Sequence, residues 1–295
     1  MHAVWMIAGS FFFASMSVCV KFASPHFSTL ENVFYRGVIG LVFMAILARS
    51  RKISLRTTVP MMHIWRNVMG VTAMAASFYA LAHLPLATAM TLNYMSGVWV
   101  ATFLIAGTFV MGRLTEIRRQ GPLVLTVLTA FAGVIMLLRP TLDQDQLFAG
   151  LVGMLSGLLG AMAYIQVAAL GRVGESETRT VFYFSLGGAV AGAAGMLIQG
   201  ASNLARVEAL WLLPMGILAA LGQLCMTRAY TRGPAIVVAN LQYTSIVFAA
   251  LYGLILFGDS IPLMGWAGMA LVISSAMAAT VLRTRAVPNL PAEEH

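Results

Sequence analysis

Charge is scarce in this 295-residue sequence: Asp, Glu, Lys and Arg make up only 9% of it, against roughly 25% in a soluble globular domain. Together with 60% hydrophobic residues, that deficit excludes a water-facing surface over most of the chain. Cysteine is nearly absent. Cys19 and Cys225 cannot build a disulfide framework and neither has metal-ligand spacing, so both are expected as free thiols and no metal site is expected. The sequence lacks a His-Glu-x-x-His zinc pair and a Gly-x-Ser-x-Gly nucleophile turn, so no catalytic residue and no cofactor is assigned. Asp143-Gln144-Asp145 has the spacing of some sugar-nucleotide metal sites, but in a short outer loop it reads as a solvated turn. Acidic groups are also missing from the middle of the apolar runs. Asp143, Asp145, Glu175, Glu177, Glu208 and Asp259 fall in loops or at run ends, and Glu31 is peripheral.

What the chain does have is apolar runs of about twenty residues, the length that spans a bilayer. They lie at 3–22, 30–48, 64–83, 87–111, 122–138, 149–170, 180–199, 209–230, 234–257 and 262–282, which predicts an all-α integral membrane protein of ten transmembrane helices. The first run has no basic region before it and leads straight into the others, so it is expected as a retained span and not as a signal peptide.

The net charge of +8 and the pI near 10 raise the question of nucleic acid, and the placement of the basic residues answers it. Arg49, Arg51, Lys52, Arg56, Arg113, Arg118, Arg119, Arg172, Arg179, Arg232, Arg283 and Arg285 all fall on one side of a ten-span chain, whereas only Arg139 and Arg206 fall on the other. They sit in short loops without interleaved aromatics, which is an orientation signal and not a nucleic-acid platform. The expectation is a bacterial-type cytoplasmic (inner) membrane protein with both termini cytoplasmic.

The sequence also repeats itself. Val33-Phe34-Tyr35 returns 148 positions later as Val181-Phe182-Tyr183, with Gly40 matching Gly188. Trp65 and Met69-Gly70 return as Trp211 and Met215-Gly216, and Pro85 with Tyr94 returns as Pro234 with Tyr243. Three ordered landmarks at nearly one offset predict two inverted five-helix repeats, 1–140 and 147–283, followed by a tail at 284–295. Five is odd, so the copies cross the membrane in opposite senses and are related by an in-plane pseudo-twofold axis.

Here the chain resembles the drug/metabolite transporter superfamily in its ten-span EamA-type members. The residues that carry the likeness are Leu30 to Gly37 (LENVFYRG), Phe78 to Ala87 (FYALAHLPLA), Arg228 to Pro234 (RAYTRGP) and Phe257-Gly258-Asp259. One departure is Gly112, which is followed by Arg113 where such families place an acidic residue at the end of span 4. The resemblance implies a central cavity lined by both halves, alternating access, and a substrate such as an amino acid, a nucleotide-like compound, a vitamin or S-adenosylmethionine.

A charged side chain deep in a span costs about 2.5–3.5 kcal/mol on insertion scales, so each intramembrane polar group calls for a partner or a task. Lys21, Glu31 and Arg36 cluster near the outer ends of spans 1 and 2. Glu31 is expected to neutralise one cation and leave the other for a substrate carboxylate; the competing reading is that Lys21 snorkels and Arg36 braces helix packing. Asn93, Tyr94 and the mid-membrane Trp99 of span 4, with their repeat counterparts Asn240, Gln242 and Tyr243, form the candidate binding wall. Tyr79, Tyr164, Gln166 and Gln223 complete it, with Ser15, Ser17 and His83 as weaker members. Trp5, Trp65, Trp211 and Trp266 are assigned to interfacial belts, and Gly153, Gly157, Gly188 and Gly192 to close helix packing.

These readings converge on a secondary transporter of a small polar solute, partnered by membrane lipid, as a monomer or a homodimer. With no carboxylate within the membrane, facilitated movement or exchange is expected ahead of proton coupling through Glu31. A channel and an intramembrane enzyme are the alternatives.

Overall fold

The computed structural model describes residues 2–96, 98–99, 106, 121–138, 144–232, 238 and 241–286. Among the described residues the secondary structure is helical, with no strand. The first half holds α1 (His2–Ala23), α2 (Thr29–Ser50), α3 (Pro60–His83), α4 (Leu86–Asn93) and α5 (Gly121–Leu138). The second holds α6 (Gln144–Arg172), α7 (Glu177–Gln199), a 3-10 turn (Val207–Trp211), α8 (Leu212–Arg232), α9 (Thr244–Leu256) and α10 (Leu263–Ala286).

Local chemistry sets several of these boundaries. Ser28 and Glu31 cap α2 reciprocally: the Ser28 hydroxyl accepts from the Glu31 amide at 3.3 Å, and the Glu31 carboxylate accepts from the Ser28 amide at 2.7 Å. Two of the orphan donors at the helix start are thereby satisfied. Ser176 caps α7 in the same position. Pro60 starts α3 where no intrahelical donor is needed, four residues before the run read from hydropathy.

Among the described residues, five stretches are long and apolar enough to cross a membrane by length and composition: Val4–Ala23, Thr29–Ser50, Gln146–Arg172, Glu177–Gln199 and Val207–Arg232. Large apolar side chains such as Val42, Ile46, Leu197, Ile198, Ile255 and Leu263 face outward. Water would penalise so much contiguous apolar surface, and hydrocarbon does not. Trp5, Trp65, Trp211 and Trp266 are all partly exposed near helix starts, as membrane-interface anchors require.

The helices pack across the halves. The most extensive pairs are α2 with α7, α3 with α6, α1 with α8, and α5 with α10. Exchanging the halves maps α1–α8 onto α6–α3 and leaves α2–α7 and α5–α10 unchanged. The lesser pairs obey the same exchange: α2–α8 answers to α3–α7, and α1–α9 to α4–α6. At the α2–α7 crossing, a Cβ on Gly192 would stand 2.5 Å from the Phe34 amide nitrogen, and one on Gly37 would stand 2.8 Å from the Ala189 Cα. The two backbones touch there because neither position carries a side chain.

Polar loop contacts fall into two sets. Lys21 at the end of α1 meets Leu84 and Asp259, Glu31 meets Ser202, and His26 meets Glu208. The other set joins Thr57 and Ser54 to Glu175 and Arg179, and Arg232 to Glu177. The loops after α1, α3, α7 and α9 thus share one end, while those after α2, α6 and α8 share the other, as helices that alternate in direction demand.

Candidate functional site

Between these ends lies a cavity of about 80 Å³. Its walls come from both halves: Phe13, Met16 and Ser17 of α1, Arg36 of α2, Arg66 to Phe78 of α3, Met90 and Asn93 of α4, and then Tyr94. The second half adds Gly160, Ala163 and Tyr164 of α6, Phe184 of α7 and Gln223 of α8. A drug-sized ligand pocket occupies ~300–1,000 Å³, so this conformation is a contracted one.

Two guanidinium groups dominate the cavity. Arg36 is 6% exposed and Arg66 2%, and both stay protonated in a protein. They flank the ring of Phe184, with the central carbons 5.2 Å and 3.7 Å from its centroid. The face of an aromatic ring attracts a cation, so one phenylalanine orients both. Their hydrogen bonds are few and weak: Arg36 Nη1 donates to the Met74 sulfur, and Arg66 Nη2 to Gln223 Oε1 at 3.4 Å. Arg36 Nε, Arg66 Nε and Arg66 Nη1 are buried with no acceptor. No carboxylate pairs with either guanidinium among the described residues. Three described acids are committed elsewhere: Glu31 to Ser28 and Ser202, Asp259 to Lys21 and the Leu86 amide, and Glu175 to Thr57 and Arg179.

Tyrosines and amides surround the cations. Gln242 stands behind the wall and fixes Tyr164: its Nε2 donates to the Tyr164 hydroxyl at 3.2 Å, and its Oε1 accepts from the Tyr230 hydroxyl at 2.8 Å. Tyr164 and Tyr230 stack with centroids 5.9 Å apart. Asn93 Oδ1 accepts from Ser156 at 3.2 Å. The result is a preorganised set of donors with positive charge at one side and apolar rings at the other.

The second half of the chain matches the EamA-like transporter family over residues 147–281. The likeness to named transporters runs nearly end to end. The chain is 29% identical to the pseudopaline exporter CntI of Pseudomonas aeruginosa, over 92% of this chain and 93% of that one. It is 28% identical to an uncharacterized transporter of Helicobacter pylori, over 90% and 89%, and 28% identical to a riboflavin transporter of Rhizobium johnstonii, over 93% and 89%. These likenesses support an EamA-type membrane protein of the drug/metabolite transporter superfamily. A solved crystal structure, 17% identical, superposes with a TM-score of 0.67 over 96% of this chain and 98% of its own, which shows the shared fold.

Within the EamA-type fold the sequence-predicted residues divide. Arg36, Asn93, Tyr94, Tyr164 and Gln223 line the cavity, with Ser17 beside them. Gln242 acts one layer back, through Tyr164. Tyr243 caps the start of α9 and is buried in the core, and Trp99 packs against the same core outside the cavity lining. Tyr79 stacks on His83 and Gln166 does not reach the cavity, so neither meets the expectation of a wall residue. Asn240 lies outside the described residues.

The expected Lys21, Glu31 and Arg36 cluster is corrected. Glu31 serves the α2 cap and Ser202, and Lys21 lies 3.9 Å from Asp259 and donates to the Leu84 carbonyl at 2.9 Å. Lys21 therefore ties loop ends together and stands away from the cavity, while Arg36 enters it without Lys21 or Glu31. The residue missed from the sequence is Arg66. With α3 starting at Pro60 it lies in the second turn of the helix. The signal was the stripe His63, Arg66, Gly70, Met74 and Ser77, spaced three or four residues apart on one helical face.

Proposed function

We propose that this chain is a secondary transporter that carries a small polar metabolite across the bacterial-type cytoplasmic membrane by alternating access. The observation that carries this reading is the central cavity walled by both halves. A carrier needs such a central site, reachable from either side in turn. The names of the relatives, an exporter and a riboflavin transporter, support a transport role and leave the solute open.

In this proposal ten spans form two inverted units, 1–140 and 147–283, with a cytoplasmic tail at 284–295. The exchange-symmetric packing supports the duplication. The end that carries Arg56, Arg172, Arg179 and Arg232 faces the cytoplasm by the positive-inside rule, and both termini lie on that side. Single cysteines placed at Ser54 and Ser202 in a cysteine-free background test the topology. An impermeant thiol reagent added to whole cells labels Ser202→Cys and spares Ser54→Cys; the opposite pattern reverses the orientation.

Counterflow in proteoliposomes tests the mechanism. A carrier gives saturable uptake of labelled solute that rises when the same solute is loaded inside. Flux linear in concentration indicates a channel, and a chemically altered product indicates an enzyme.

A further inference from the structure

We infer that the cavity takes a compact organic dianion, its two negative charges held by Arg36 and Arg66. This rests on the carrier reading and names the substrate class of that same site. Each arginine is more than nine-tenths buried and lines the cavity. Arg36 Nε, Arg66 Nε and Arg66 Nη1 point no hydrogen at any acceptor, so the site presents donors in the forked arrangement that matches carboxylate or phosphate oxygens.

Charge balance sets the valence of the ligand. Every described carboxylate with a contact is engaged with another group, at the cavity's ends and not at its centre. Two buried cations without a counter-ion among the described residues define a site of charge +2, and a ligand of charge −2 neutralises it. Both guanidiniums rest on the one ring of Phe184, so the negative charges they seek belong to one compact head. Phe13, Phe78 and Met90 of the lining offer apolar contact to a short hydrocarbon body. A pair of neighbouring carboxylates and a phosphate monoester share this chemistry.

Thermal melting of the purified full chain in detergent tests the inference with succinate, glycerol 3-phosphate, L-glutamine and L-lysine at matched ionic strength. A ligand that binds the folded form raises Tm by mass action, here by about 2 °C or more at saturation. Succinate or glycerol 3-phosphate gives this shift, and whichever does so identifies the head; L-glutamine and L-lysine do not. The shift disappears in Arg36→Met and Arg66→Met, while the ligand-free Tm of these variants equals or exceeds that of the parent, because an unpaired buried charge has been removed. A residue that merely braced the helices would lower the ligand-free Tm instead. Arg66→Lys retains the charge without the fork and weakens the response about tenfold.

Equal stabilisation by L-glutamine or L-lysine overturns the inference, as does a dianion shift that survives both methionine variants or no shift with either dianion. Counterflow with the stabilising dianion separates the two readings. Binding without trans-stimulated flux removes the carrier and keeps the anion site. Trans-stimulated flux of a neutral solute that neither dianion inhibits keeps the carrier and removes the anion site.

Discussion

Gln242 is the residue whose contribution is easiest to isolate, because it never touches the cavity and yet holds one of its walls. Its amide joins Tyr164 to Tyr230. Gln242→Leu leaves two phenols short of a partner, at a cost of about 1–3 kcal/mol, read as a lower Tm. Since Tyr164 is then free to turn, ligand affinity falls along with stability, whereas a substitution at the lipid-facing Ile255 moves neither. The sequence revealed this residue as polar and deep but not its role. Amides and phenols spaced along a helix announce a polar interior, and only the crossing of α6, α8 and α9 decides which reaches the solute and which stands behind. Lys21 and Arg36 show the same limit. Glu31 read as the partner of one of them, yet the loop contact with Ser202 claims it, and a contact between distant loops leaves no trace in local spacing.

Among the elements, α2 and α7 make the closest crossing, and their glycines are its condition. Gly192→Leu drives a side chain into the Phe34 backbone, where repacking costs about 1–3 kcal/mol or more. Reduced yield and a broadened gel-filtration peak are the expected readouts; a substitution on the exposed face of α7, such as Val190→Ala, leaves both unchanged. The loop between α6 and α7 supplies a pH-dependent contact. Burial works to raise the Glu175 carboxyl, but hydrogen bonds from Thr57 and Arg179, and the charges of Arg179 and His63, hold it below its ordinary value. A carboxylate depressed in the folded state stabilises above its unfolded pKa, ~4.3 for Glu, and that stabilisation is lost as pH falls through the folded value. Melting temperature therefore drops on acidification below about pH 5, and Glu175→Gln flattens that part of the curve while lowering Tm at neutral pH. Helix existence was legible from hydropathy because lipid imposes long apolar runs on every span. Boundaries were less so: Pro60 and Gln144 extend α3 and α6 beyond their apolar runs, since caps and prolines end a helix where hydrophobicity does not.

Across the whole molecule the pattern that suggests a duplication was visible in sequence, in the paired landmarks Gly40 and Gly188, Phe34 and Phe182, Tyr94 and Tyr243. The chemistry of the site was not, for the halves diverge there. At the same offset Arg36 answers to Phe184, and Met16 to Tyr164, and all four line one cavity. The framework is twofold while its charge is confined to the first half. An unoccupied cavity thus keeps two fixed positive charges within the dielectric barrier, and a dianion cancels them. Voltage then acts on the empty carrier as it reorients and leaves the loaded one untouched, with a full membrane crossing by one charge worth about 2.3 kcal/mol per 100 mV. Solute-for-solute exchange should run at the same rate whatever diffusion potential is set by potassium and valinomycin, whereas net one-way flux, which must return the carrier empty, should speed or slow with its sign.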